Sequence, residues 1–84
     1  MNIVATYIKI NRIAGNSIGK VSRSISKGTG RTINTSRLYK WRAGSEALPP
    51  YAYDFMLEYL LSGPLKEVEG EKLLPFLRVP ERIE

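Results

Sequence analysis

Between residues 33 and 50 the chain reads INTSRLYKWRAGSEALPP, and this stretch limits the possible fold more than any other. Asn34 is a good N-cap, and Thr35 and Ser36 supply a small polar first turn. Leu38 and Trp41 are spaced to share one helical face, so they bury together. Gly44 suits the left-handed position that ends a helix. Pro49 and Pro50 open the next helix, because proline fits a first turn and not a helix interior. The rest of the chain is then a frame for the helix at 34–43.

The opposite face of that helix carries Ser36, Tyr39, Lys40 and Ala43, with Thr35 and Arg37 beside it and no acid. Hydroxyls and amines reach base edges, and Arg and Lys reach guanine or phosphate, so a DNA major groove accepts such a face. The charge distribution points the same way. Residues 1–45 hold nine Lys or Arg and no acid, a balance of +9, whereas residues 46–84 balance to −4. The acid-free half fits a polyanion, and the other half faces water or another subunit.

Residues 2–14 place Ile3, Val4, Tyr7, Ile8, Ile10 and Ala14 on a helical stripe capped by Asn2 and stopped at Gly15. The same residues also alternate at Val4, Thr6, Ile8 and Ile10, as a strand would; the Gly-Asn-Ser stop favours the helix. Residues 17–26 space Ile18, Val21 and Ile25 for a second helix with Ser17 as cap and Lys20 and Arg23 outward. Its four serines and a glycine make it a poor helix by propensity, so packing must hold it. The segment 27–32, KGTGRT, reads as a mobile basic loop in which Gly28 and Gly30 permit positive φ. It lacks the GK[ST] ending and the preceding strand of a nucleotide-binding loop. Residues 50–62 pack Ala52, Phe55, Met56, Tyr59 and Leu60 on one face, and Gly63-Pro64 ends that helix. In the tail, the apolar run 73–77 is broken by Pro75, and residues 78–84 are expected to fray. The apolar run either folds back over the first and fourth helices or joins a twofold dimer interface, which is the favoured expectation.

The chain has no Cys and no His, which removes disulfides, thiolate metal sites and the commonest catalytic bases. Its acids cluster in a solvated tail, so neither a catalytic set nor a metal site is expected, and no cofactor. No apolar run is long enough to span a bilayer and no export signal is visible, so the expected location is the cytoplasm, without membrane association.

The stretch 33–50 resembles the recognition helix and following loop of the Xre/Cro-like helix-turn-helix repressors of phages and bacteria. The matching features are Ile33 before the cap, Leu38 in mid-helix, Trp41, Gly44 and a proline-led helix after a short loop. The resemblance extends more loosely to the helices before it. One departure stands out: residues 27–32 leave roughly six residues more than a tight helix–helix turn requires. The expected fold is therefore all-α, a compact four- to five-helix bundle with a helix-turn-helix, an expanded Gly-rich turn and an irregular C-terminal tail. Residues 1–64 would form the DNA-binding domain, and 65–84 an extension available for dimerisation.

By the resemblance, base-edge contacts fall on Thr35, Ser36 and Lys40. The helical wheel adds Tyr39, and Arg37 at the side reaches a base or a phosphate. Asn16, Ser17, Lys20, Lys27, Arg31, Arg42 and Ser45 are the phosphate candidates. The implied function is a sequence-specific transcriptional regulator, a repressor of phage or prophage type, binding double-stranded DNA as a homodimer on an inverted repeat. Two other readings stay open. One is a small phage-like protein-interaction factor, a host-protein inhibitor or antitoxin, acting through the C-terminal apolar patch. The other is RNA binding through the basic face.

Overall fold

In a computed structural model, which describes residues 1–83, the chain forms five helices: α1 (Ile3–Ile13), α2 (Ile18–Thr29), α3 (Thr35–Ala43), α4 (Pro50–Ser62) and α5 (Gly70–Leu77). There is no strand among the described residues, so the fold is all-α as expected. The first three helices start on the caps that the sequence marks. Asn2 Oδ1 accepts the Ala5 N–H at 2.9 Å, Ser17 Oγ that of Lys20 at 3.2 Å, and Asn34 Oδ1 that of Arg37 at 2.8 Å. Pro50 opens α4 without a side-chain cap, its missing N–H falling among donors that have no helical partner anyway.

Burial in α1 follows a helical pattern: Ile3, Val4, Tyr7 and Ile8 are inside. Ala14, expected on the same stripe, is exposed, because the helix ends there before Gly15 turns the chain at φ +92°. Two polar side chains are buried beside the apolar ones. The Thr6 hydroxyl donates to the Asn2 carbonyl at 2.9 Å, and the Asn11 amide donates to that of Tyr7 at 2.9 Å, so both are satisfied inside the core. Helix α4 lays Ala52, Met56 and Leu60 against α1 and α2. The Tyr7 ring meets Phe55 and Tyr59 edge-on, at centroid distances of 6.2 and 5.2 Å. Burial pushes the Tyr7 phenol up to about 12, the nearby Tyr59 adding to the effect, so it stays neutral at any physiological pH. Leu38 and Trp41 of α3 complete this core with Val21, Ile25 and Ile33.

The expanded Gly-rich turn is corrected by the structure. Lys27, Gly28 and Thr29 continue α2, and only residues 30–34 connect it to α3. The two glycines do different work. Gly30 takes the left-handed conformation (φ +71°) and its N–H closes on the Ser26 carbonyl, ending the helix. Gly28 has no positive φ; it is small because the Phe55 ring of α4 occupies the space where a Cβ would stand. The serines that weaken α2 by propensity fasten the turn. Ser26 Oγ accepts the Ile33 N–H at 2.8 Å, and the hydroxyls of Ser22 and Ser26 both point at the Ile33 carbonyl. Ile33 is thereby held in the core one residue before the α3 cap. Ser26→Ala should cost about 1–3 kcal/mol, because it strands the Ile33 N–H while the Ile33 carbonyl keeps the Ser22 hydroxyl; urea unfolding measures it, and Ser24→Ala, on an exposed position of the same helix, is the control.

The irregular tail is corrected as well. Residues 70–77 form α5 despite Pro75, and the helix lies on α1. Phe76 and Leu77 are half-buried, and the Tyr53 hydroxyl of α4 donates to the Leu77 carbonyl at 3.0 Å. The apolar run therefore folds back, while Leu74, at 68 %, and Pro75 stay exposed. Fraying from residue 78 does not occur as far as 83, and residue 84 lies outside the described residues. The Ile3 N–H donates to the Arg78 carbonyl at 2.8 Å, Pro80 is buried, and the Ile83 N–H donates to the Gly44 carbonyl at 3.0 Å. The last described residues thus run as a strap across the start of α1 and the end of α3. No described helix is long and apolar enough to cross a membrane.

Candidate nucleic-acid interface

Helix α3 owes its orientation to two buried side chains. Leu38 and Trp41 are fully inside, so the opposite side of a nine-residue helix must face out. Ser36, Tyr39, Lys40 and Ala43 are the exposed residues there, at the spacing of one helical face. Thr35 and Arg37 are half-exposed on its two shoulders. The expected base-contact residues are therefore together on one short helix, with its N-terminal turn capped and its C-terminal end sealed. Gly44 seals that end at φ +82°, and the N–H groups of Gly44 and Ser45 close on the Trp41 and Lys40 carbonyls.

The two arginines of α3 sit differently. Arg42 is exposed, and its guanidinium carbon lies 4.8 Å from the centre of the Tyr39 ring. Arg37 is held on the other shoulder: its Nε donates to Glu46 Oε1 at 3.0 Å, and its guanidinium carbon lies 5.2 Å from the centre of the Trp41 ring. This is the single ion pair among the described residues. The Trp41 indole Nε1 is buried with no hydrogen-bond partner among them.

The expected phosphate contacts divide into free and engaged groups. Lys20 and Lys27 are exposed on α2, and Arg23 lies between them at helical spacing, extending one basic stripe. Arg23 reads as outward from the sequence but is not among the expected contacts; α2 running on through Lys27 puts all three in one stripe. Arg31 is exposed with its guanidinium 4.1 Å from the centre of the Tyr51 ring. Ser17 Oγ is used as the α2 cap, the Asn16 amide donates to Asn11 Oδ1 at 3.2 Å, and Ser45 Oγ donates to the Lys40 carbonyl at 3.3 Å. Those three side chains have structural work already.

Position also gives several basic residues a purely structural benefit. Arg12, Lys27, Lys40 and Arg42 fall in the last turns of α1, α2 and α3, where a positive charge offsets the helix dipole. No acid occurs in α1, α2 or α3, whereas Asp54 and Glu58 lie on α4 and Glu71 on α5. The surface also carries two clefts. One of about 270 Å³ is lined by Asn2, Arg42, Arg78 and Glu81 among others, where the strap meets α3; the other, about 170 Å³ and mainly apolar, lies between α1 and α5. No cluster of metal-ligating side chains is found among the described residues. No protein-family model, curated protein or solved structure matches this chain.

Proposed function

We propose that the protein is a sequence-specific binder of double-stranded DNA that places α3 in the major groove. The observation that carries the reading is the combination on α3 of a fully buried Leu38–Trp41 side with an exposed side of Ser36, Tyr39 and Lys40, within three helices free of acids. The resemblance of residues 33–50 to Xre/Cro-like repressors supports the same reading and adds its biological form. That form is a phage- or prophage-type repressor acting in the cytoplasm as a homodimer, each copy covering half of an inverted repeat. In this arrangement Lys40, Ser36 and Tyr39 read base edges. Lys20, Arg23 and Lys27 of α2 and Arg42 of α3 neutralise phosphates and supply the salt-dependent part of the affinity.

A pair of substitutions tests the assignment. Lys40→Ala should weaken the best operator by about 1–3 kcal/mol and relax selectivity there, with thermal stability nearly unchanged because Lys40 is exposed. Arg42→Ala should weaken all duplexes alike and lower the salt slope by about one. Unchanged affinity of Lys40→Ala for the best operator sinks the assignment of α3.

A second reading rests on a different surface. Met1, Ile10, Ile13, Leu65 and Phe76 line the apolar cleft between α1 and α5, and Ile13 is 76 % exposed. A protein partner seated there would make the chain an interaction factor. Its binding would tolerate salt, whereas duplex binding falls steeply with it.

A further inference from the structure

Glu46 is the first acid in the chain and follows α3 directly, beside the face assigned to DNA. A carboxylate in that position repels phosphates, so by charge alone it weakens binding to any duplex. Its geometry points to a different effect. Glu46 Oε1 takes the Nε–H of Arg37 at 3.0 Å, and the Trp41 ring lies under the same guanidinium. Among the described residues neither Nη of Arg37 has a hydrogen-bond partner, so its outer edge remains available. A guanidinium has five N–H donors in a rigid planar fork, and the edge opposite Nε matches two oxygens of one phosphate. Arg37 stands on the shoulder of α3 and not at the centre of its exposed face, the place where a groove-bound helix passes the sugar-phosphate backbone.

We infer that Glu46 is a positioning residue that holds Arg37 as a preformed clamp for a backbone phosphate of the duplex; this rests on the DNA-binding reading above. Arg37 then contributes register and affinity, and not base selection. The long side chain has already lost much of its rotamer freedom in the free protein, so less is lost on binding. The ion pair is partly exposed on both sides (39 % and 37 %), and pairs of this kind add little to folding stability. The effect of Glu46 therefore belongs to binding.

The sign of one substitution separates positioning from simple charge. Glu46→Ala removes an acid beside a polyanion, so electrostatics alone predicts tighter duplex binding. Positioning predicts weaker binding, about three- to tenfold, equally for operator and bulk duplex. Glu46→Gln keeps an oxygen that accepts the Nε–H while removing the charge, and should bind at least as tightly as the parent chain. In an Arg37→Ala background, Glu46→Ala should no longer weaken binding. The readout is anisotropy of a labelled duplex at fixed salt with the full chain. Solution NMR of the Arg37 Nε–H adds a test without DNA, since slow exchange should be seen in the parent and in Glu46→Gln but lost in Glu46→Ala. Glu46→Ala binding as tightly as the parent, or tighter, overturns the inference while leaving the DNA reading intact. A parent chain that binds no duplex overturns both.

Discussion

Gly44→Ala is expected to lower folding stability by about 3–5 kcal/mol, although it adds a single methyl group. Two costs combine. At φ +82° any L side chain is strained, roughly 1–2 kcal/mol for alanine. The added Cβ would also fall far inside van der Waals contact with the Glu81 carbonyl oxygen, which is backbone and has no rotamer to escape through. Relief requires the strap to lift, and lifting it breaks the Ile83 N–H bond to the Gly44 carbonyl and exposes Pro80. Gly30→Ala is the internal control, since Gly30 also has positive φ, at +71°, but open space around its Cβ direction. It should cost only about 1–2 kcal/mol. Urea unfolding of both variants, followed by far-UV circular dichroism, gives the comparison. Equal losses for the two would show that the strap does not press on α3. A larger loss for Gly44→Ala should come with faster tryptic cleavage after Arg78 and Arg82, because a lifted strap exposes both bonds.

Trp41→Ala should cost about 3–5 kcal/mol, the range for emptying a fully buried large aromatic site. Trp41 is the largest fully buried side chain and one of the two that orient α3. Its loss also removes the surface under the Arg37 guanidinium. Trp41→Phe is the informative partner. Phenylalanine fills much of the site and removes an indole N–H that has no acceptor among the described residues. Burying such a donor unpaired costs about 1–3 kcal/mol, so its removal offsets part of the lost packing. The Phe variant should therefore lose less than half of what the Ala variant loses, in the same unfolding experiment. Equal losses would mean that the N–H finds a partner in solution. A small domain has a total stability near the low end of the usual 5–15 kcal/mol, so Trp41→Ala leaves little folded protein at 37 °C. Reduced DNA binding by that variant would report folding and not contact.

Both variants sit where local sequence signals and tertiary contacts meet, and that boundary marks what the sequence discloses. The caps Asn2, Ser17 and Asn34, the stop at Gly44 and the start at Pro50 are legible because each acts on backbone groups within a turn of itself. The inward residues of α1, α2 and α4 follow from helical spacing for the same reason, apart from Ala14, which lies past the end of α1, and Tyr59, which stays at the exposed edge of α4. Gly28 and Gly30 show where this ends. In sequence they are equivalent, but one terminates a helix and the other admits the Phe55 ring from a helix distant in the chain. Ser22 and Ser26 read as weak helix formers because propensity does not record that their hydroxyls hold Ile33. Pro75 reads as a break, yet α5 forms around it since Phe76, Leu77 and the Tyr53 hydroxyl anchor its end from outside.

The candidate site divides in the same way. Ser36, Tyr39 and Lys40 are legible on the wheel once Leu38 and Trp41 are placed inside. The Arg37–Glu46 pair is not, because it joins a helix to the loop after it through side chains alone. Asn16, Ser17 and Ser45 have the right chemistry for phosphate, but their side chains are committed to the ends of helices and turns.

Duplex DNA as the ligand of α3 is the central claim. Fluorescence-anisotropy selection from a random duplex pool, repeated across a salt series, tests it most directly. A DNA-reading α3 should recover a short inverted repeat, bound far more tightly than bulk duplex and with affinity falling steeply as salt rises. Weak, sequence-blind binding that vanishes near physiological salt would contradict it, and the apolar cleft between α1 and α5 would then be the surface to pursue.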